Sequence, residues 1–87
     1  MIHMPVDVVA TFNVQGGIKP NFIRLEDEEH ILQTYKIENI VFSREEKHAG
    51  IPAILFCCNI MRQGRMQAIN LKYYVKTHQW VLAGTSS

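Results

Sequence analysis

The segment Ile51-Pro-Ala-Ile-Leu-Phe-Cys-Cys-Asn-Ile-Met61 decides the fold, because apolar residues occupy both of its alternating sets of positions. Successive side chains of a β-strand point to opposite faces of the sheet. One face would therefore carry Ile54, Phe56, Cys58 and Ile60, and the other would carry Leu55, Cys57, Asn59 and Met61. A strand that is mainly apolar on both faces is predicted to lie at the centre of a sheet, with both faces covered.

Shorter segments of alternating polarity lie on both sides of this strand, and turn-forming residues separate them at short intervals. The predicted strands are residues 6–14, 18–25, 30–45, 51–61, 65–76 and 79–83. This pattern is typical of an all-β protein, and we expect a small, curved antiparallel barrel or sheet of five to six strands. The alternation slips near Glu38 and near Ala68, which predicts a β-bulge at each place.

Residues 26–37 are compatible with two local structures. The acidic group Glu26-Asp27-Glu28-Glu29 would suit the N-terminus of a helix. The following Thr34-Tyr35-Lys36-Ile37 has the composition of a strand. We expect an acidic hairpin tip followed by a long strand, and a short helical turn near residues 26–32 is the alternative.

The length of the chain limits both the number of domains and the size of the core. We expect one domain over residues 1–87, with residues 1–4 and 84–87 frayed. A chain this short buries only roughly 60–65% of the surface that it exposes when unfolded, so self-association would add useful buried area. The formal net charge of +1 gives no reason to expect binding to nucleic acid or to a membrane surface.

The cysteine content and the N-terminus indicate the compartment. Cys57 and Cys58 are adjacent, so their thiols would point to opposite faces of a strand and could not share a metal ion. Free thiols are typical of a reducing compartment. The N-terminal residues lack the apolar stretch of a signal peptide, and no apolar run approaches the ~20 residues that span a bilayer. We therefore expect a cytoplasmic protein without membrane contact.

No group of residues in the sequence has the spacing of a catalytic or metal-binding motif. The acidic group lacks the spaced ligands and the turn glycine of a calcium loop. The four histidines, His3, His30, His48 and His78, fall in the N-terminal lead, in predicted loops or at strand ends. We expect no catalytic residue, no metal and no cofactor, and thus a protein that is not an enzyme.

Several core and turn residues follow one another in a characteristic order. They are Pro5-Val6-x-Val8, Phe12, Gly17-x-x-Pro20, Ile23-x-Leu25, Tyr35-x-Ile37-x-x-Ile40 and Trp80-Val81. This order resembles that of small bacterial domains of unknown function, and the resemblance covers nearly the whole chain. It implies an SH3-like β-barrel and implies no activity.

Two surfaces are candidate binding sites. The predicted outer face of strand 51–61 carries Leu55, Cys57 and Met61, and an uncovered apolar patch often marks a protein interface. We expect a homodimer, or a complex with another protein, through this face or through an edge strand. The alternative is a single-stranded nucleic acid, because cations bind phosphates and flat rings stack on bases. Its surface would consist of Arg62, Arg65, Lys72, Tyr74, Lys76 and Trp80.

Overall fold

Seven antiparallel strands account for most of residues 3–85, which are the residues that the computed structural model describes. The strands are β1 (Met4–Pro5), β2 (Asp7–Phe12), β3 (Ile18–Glu26), β4 (Leu32–His48), β5 (Ile51–Arg62), β6 (Arg65–Tyr74) and β7 (Gln79–Thr85). No helix occurs among these residues. The all-β prediction is confirmed, and the count of five to six strands is slightly low because the two-residue β1 was not predicted.

The two edge strands of the sheet are consecutive in the sequence. The strand order is β1-β7-β6-β5-β4-β3-β2, and only Val6 separates β1 from β2. The Val6 N–H donates a hydrogen bond to the Trp80 carbonyl oxygen at 3.1 Å. Since neighbouring residues must reach both edges, the sheet curls into a half-barrel with a concave inner side and a convex outer side.

The long strand β4 belongs to both halves of this curled sheet. Its residues 32–36 pair with β3, and its residues 37–48 pair with β5. The pairing with β5 shifts register between Ile37 and Asn39 and again between Ile40 and Phe42. Each extra residue bends the strand, so the predicted bulge near Glu38 is confirmed and has a second one beside it.

The predicted bulge near Ala68 is wrong. The β5–β6 register runs without a shift from Arg62 opposite Arg65 to Ala53 opposite Tyr74. Ala68 simply faces outward, and the register shift of this region lies in the β6–β7 pairing, between Asn70 and Leu71. Val75 continues the alternation of the inward residues Ile69, Leu71 and Tyr73, and this alternation predicts a core position for it. Val75 instead follows the end of β6 and is exposed.

Two short turns close the hairpins on either side of β5. His48 pairs with Ile51 around Ala49-Gly50, and Arg62 pairs with Arg65 around Gln63-Gly64. All four turn residues have positive φ angles, between 51° and 80°. This is the backbone geometry of a type I′ turn, whose twist matches that of the flanking strands. The turns therefore hold β4, β5 and β6 side by side in fixed register.

The acidic group forms a hairpin tip, and the helical alternative is wrong. Asp27 N–H donates to the Ile31 carbonyl oxygen at 2.9 Å, and the Asp27 Oδ1 atom accepts hydrogen bonds from the backbone N–H groups of Glu29 and Ile31. His30 has a φ angle of 64°, which reverses the chain. The aspartate thus satisfies the turn backbone in place of helical hydrogen bonds.

The core fills the concave side. Trp80 is only 8% exposed, and its ring lies 5.6 Å from the ring of Phe56 and 5.0 Å from that of Tyr73. The predicted inward set of β5 is confirmed at Phe56, Cys58 and Ile60, which are all buried. The buried cluster consists of Ile23, Leu25, Ile37, Phe56, Cys58, Ile60, Ile69, Leu71, Tyr73, Trp80 and Leu82.

Candidate interaction surface

The outer side of β4, β5 and β6 presents apolar side chains in two rows with one further row between them. Phe42 lies opposite Cys57, and Met61 lies opposite Met66. Ala68 lies between these two rows on β6, opposite Asn59. We call the set Phe42, Cys57, Met61, Met66 and Ala68 the outer patch.

The three largest side chains of the outer patch are exposed to solvent. Phe42 is 48% exposed, Met61 45% and Met66 55%. Among the described residues, thirteen large apolar side chains are exposed, and these three belong to that set. The core lies on the concave side and leaves Phe42, Met61 and Met66 uncovered. The hydrogen-bonded amides of Asn39 and Asn59 lie between Phe42 and the two methionines. Exposed apolar side chains grouped on one face often mark an interaction site.

A row of charged side chains covers the neighbouring part of the same face. Glu46 accepts hydrogen bonds from Arg44 at 3.0 and 3.2 Å, and its other oxygen lies 3.3 Å from the Lys72 ammonium group. Leu55 lies between Arg44 and Lys72 in the sheet and is only 8% exposed. The hydrogen bond from Arg44, followed by the contact with Lys72, lowers the pKa of Glu46.

The three residues predicted for the protein interface therefore differ in their exposure to solvent. Leu55 is buried, and its direct neighbours Arg44 and Lys72 can lay their long aliphatic stems over it. Cys57 is half-buried, and Met61 is exposed. Only Cys57 and Met61 belong to the outer patch, whereas Leu55 is part of the sheet beneath the charged row.

Phe42, Met66 and Ala68 were not included in the predicted interface. The bulge between Ile40 and Phe42 places Phe42 on the outer face, and a simple alternation cannot locate such a shift. The positions of Met66 and Ala68 could be inferred from the sequence, because both residues are out of phase with the inward residues of β6. That phase difference indicates outward side chains, which the structure shows in place of a bulge.

The adjacent cysteines lie in different surroundings. Cys57 is half-buried on the outer face, and Cys58 is buried in the core. Burial, with a smaller contribution from Cys57, raises the pKa of the Cys58 thiol to about 11. Since the thiolate is the reactive form, Cys58 acts as a packing residue.

The six residues predicted for nucleic-acid binding do not share one surface. Arg62 and Arg65 lie at the β5–β6 turn, while Lys72 and Tyr74 lie on the outer face at the other end of β6. Lys76 follows that end of β6. Trp80 is buried in the core, so its ring is not available to stack on a base.

The guanidinium group of Arg62 contacts other residues of the same chain. Its Nη2 atom donates a hydrogen bond to the Glu26 carbonyl oxygen at 2.8 Å, and its guanidinium carbon lies 5.4 Å from the centroid of the Tyr35 ring. Lys72 is likewise paired with Glu46. Arg65 and Lys76 are exposed cations, but they lie at opposite ends of β6.

Part of β4 has an edge that no other strand covers in the described part of the chain. Residues 37–48 pair with β5 on one side, while β3 pairs only with residues 32–36. All but two of residues 38–48 are exposed. We call the side of residues 38–48 that faces away from β5 the free edge.

Within residues 3–85, no group of three or more His, Cys, Asp or Glu side chains could hold a metal ion. The described residues also contain no helix of the length and apolar character needed to cross a membrane. No family model matches the chain, and no significant similarity links it to a curated protein or to a solved structure.

Proposed function

We propose that this protein is a non-enzymatic interaction module that associates with a second copy of itself through the outer patch. The observation that carries the proposal is the group of exposed apolar side chains, Phe42, Met61 and Met66 above all, on three adjacent strands of one face. In a dimer, the two outer faces would pack against each other as sheets do, roughly 10 Å apart.

The driving force is the removal of apolar surface from water. Each Å² of apolar surface that is buried contributes about 25 cal/mol. A chain of 87 residues has a small core, so this contribution matters more than in a larger protein. Since five side chains cover less than the roughly 800 Å² per partner of a standard interface, we expect a weak dimer with a dissociation constant of about 10–100 μM.

The charged row beside the patch would form the rim of this interface. Arg44 and Lys72 both form an ion pair with Glu46, so the charges of the row are partly balanced within each chain. A central apolar area with a polar rim is the usual arrangement of protein interfaces.

The first prediction is that Met61→Lys weakens self-association. A lysine within the patch would have to lose its water in the complex, so we expect the dissociation constant to rise about tenfold or more. Sedimentation equilibrium over a range of micromolar concentrations measures this constant for the wild-type protein and the variant.

Val9→Lys is the matched control. Val9 is 57% exposed but lies on β2, which β3 separates from the strands that carry the outer patch. This variant should associate like the wild type. A wild-type protein that stays monomeric, or a Met61→Lys variant that associates as strongly as the wild type, would contradict the proposal.

The finer sequence predictions belong with this proposal. An SH3-like barrel, a bacterial source and a cytoplasmic location stay predictions, as does nucleic-acid binding. Binding of a single-stranded oligonucleotide at low salt, weakening as salt is added and on Arg65→Ala or Lys76→Ala, would favour the nucleic-acid function.

A further inference from the structure

The free edge of β4 is a second candidate interface, separate from the outer patch. Its backbone N–H and C=O groups on the side away from β5 meet no other strand among residues 3–85. Unpaired edges of this kind accept a further strand through main-chain hydrogen bonds. The free edge is therefore suited to bind a partner strand in extended conformation.

Only the second half of the free edge is regular. The two bulges interrupt β4 before Phe42, whereas the register from Phe42 opposite Cys57 to His48 opposite Ile51 is continuous. Glu45 is the midpoint of these seven residues, 42–48. An antiparallel strand centred on Glu45 would use the whole regular stretch.

We propose that the free edge pairs with the free edge of a second copy, antiparallel and centred on Glu45, so that one sheet runs through both chains. A two-fold axis perpendicular to the sheet relates the copies. Each residue in the stretch then lies opposite the residue of the second copy that is equally far from Glu45 on the other side. Phe42 lies opposite His48, Ser43 opposite Lys47, and Arg44 opposite Glu46.

The charges along the edge are complementary in this register. Arg44 and Glu46 both face outward, as their pairing with Leu55 and Ala53 shows. Each arginine would lie opposite a glutamate of the other copy, and this favourable pair occurs twice because of the symmetry. Directly opposite charges of unlike sign stabilise a pair of strands, while like charges destabilise it.

On the inner side of the same stretch, one pair of like charges is opposed, and neighbouring charges of the other sign offset the repulsion. The two copies of Glu45 lie opposite each other on the axis. Lys47 of each chain lies two residues away from its own Glu45 and diagonally opposite the other one. The two carboxylates are thus flanked by two ammonium groups.

Moving the centre of the pairing by one residue shifts the register by two residues. Either shift gives a poorer match of charges or a shorter paired stretch. Centring on Arg44 would place two arginines opposite each other on the axis, and centring on Glu46 would leave only residues 44–48 paired. Charges on an edge strand usually prevent pairing with other chains. Here the order of charges fits a second copy of this chain and repels edges whose charges follow another order.

This pairing leaves the outer patch free. Chains that join edge to edge share a continuous outer face, whereas the proposed contact through the outer patch stacks one face on another. The two contacts share Phe42, which lies in the outer patch and at the end of the edge, and they share Arg44 and Glu46 of the charged row. Met61 and Met66 belong to the outer-patch contact alone. A variant of either methionine that breaks the outer-patch contact should therefore leave the edge pairing in place.

The test is disulfide formation by a cysteine placed on the two-fold axis. In Glu45→Cys, the two new thiols would lie opposite each other, and Cα atoms of opposed antiparallel residues are about 4.5–5.5 Å apart, within disulfide range. Oxidised glutathione serves as the oxidant, and peptide mapping distinguishes the new disulfide from any that the free thiols of Cys57 and Cys58 form. Glu45 is exposed, so the substitution should not disturb the fold.

Lys47→Cys is the matched control. Its two copies would lie four residues apart along the strands, roughly 13 Å, which is too far for a disulfide. We expect Glu45→Cys to cross-link about tenfold or more faster than Lys47→Cys, because pairing raises the effective concentration of the thiols. A mixture of Ser43→Cys and Lys47→Cys chains should form the mixed dimer.

The outcomes separate this proposal from the outer-patch dimer. Cross-linking of Glu45→Cys that persists when Met61→Lys is added supports edge pairing as an independent contact. Equal rates for Glu45→Cys and Lys47→Cys, or a faster rate for Glu46→Cys than for Glu45→Cys, would overturn the pairing centred on Glu45. That result would leave the outer-patch dimer standing, since sedimentation of Met61→Lys tests it separately.

Discussion

Asp27 shows how one side chain can replace a regular element. Its Oδ1 atom accepts hydrogen bonds from Ile31 N–H at 3.0 Å and from Glu29 N–H at 2.8 Å, and its Oδ2 atom accepts one from the Gln33 amide at 3.0 Å. The bond from Ile31, then that from Gln33, lowers the pKa of Asp27. The carboxylate therefore holds the hairpin tip together in its charged form.

At the residue scale, we predict that Asp27 makes stability depend on pH in the acid range. A pKa that is lower in the folded state means that the contribution is present above the unfolded pKa, 3.8, and is lost as the pH falls below it. Between about pH 5 and about pH 2, the wild type should lose more stability than Asp27→Asn, whose side chain does not titrate. Thermal unfolding at each pH measures this, and equal losses in the two proteins would contradict it.

At the scale of elements, two hairpin tips are fastened to each other. The β5–β6 turn reaches the β3–β4 tip through Arg62, and the Gln63 amide donates to Glu28 Oε1 at 2.9 Å. The guanidinium group also lies over the Tyr35 ring. The acidic tip and the basic turn, which look like separate surface features in the sequence, therefore make one contact that stabilises the curl of the sheet.

We predict that Arg62→Met lowers the free energy of unfolding by about 1–2 kcal/mol, because it removes a charged hydrogen bond to a carbonyl and a cation–π contact. Arg65→Met is a close control, since Arg65 lies directly opposite Arg62 and is exposed. Its effect should stay within about 0.5 kcal/mol. Urea unfolding compares the two variants, and equal effects would show that the contact between the tips contributes nothing.

The long strand β4 shows how far alternation predicts an element. One strand over residues 30–45 was expected, and β4 spans Leu32–His48. Alternation also indicated that the register breaks near Glu38. It could not show that Phe42 faces outward, because a second bulge follows after only a few residues, and bulge positions depend on pairing with β5.

At the scale of the whole molecule, stability depends on one face of the sheet. Leu71 is fully buried on the concave side, while its neighbour Lys72 lies on the outer side and pairs with Glu46. The chain is short, so the total free energy of unfolding is expected to be small. Substitutions on the two faces should therefore have very different consequences.

We predict that Leu71→Ala lowers the free energy of unfolding by about 2–5 kcal/mol, because it leaves a cavity in the core. Lys72→Ala should cost no more than about 1 kcal/mol, since its ion pair is partly exposed to solvent. Urea unfolding measures both. A larger loss for Lys72→Ala would mean that the charged row stabilises the sheet more than the core does.

The sequence by itself determined the strands and their inward residues. Alternating polarity predicts β5 and β6, and Ala49-Gly50 and Gln63-Gly64 suit tight turns, because these properties depend on neighbours in the chain. Residues far apart in the chain decide the rest. The sheet curls because Val6 connects its two edges, Trp80 becomes part of the core, and Arg44 and Lys72 flank Leu55, which is buried. Such contacts form only when distant strands come together, so the uncovered outer patch and the free edge of β4 became visible only in the tertiary structure.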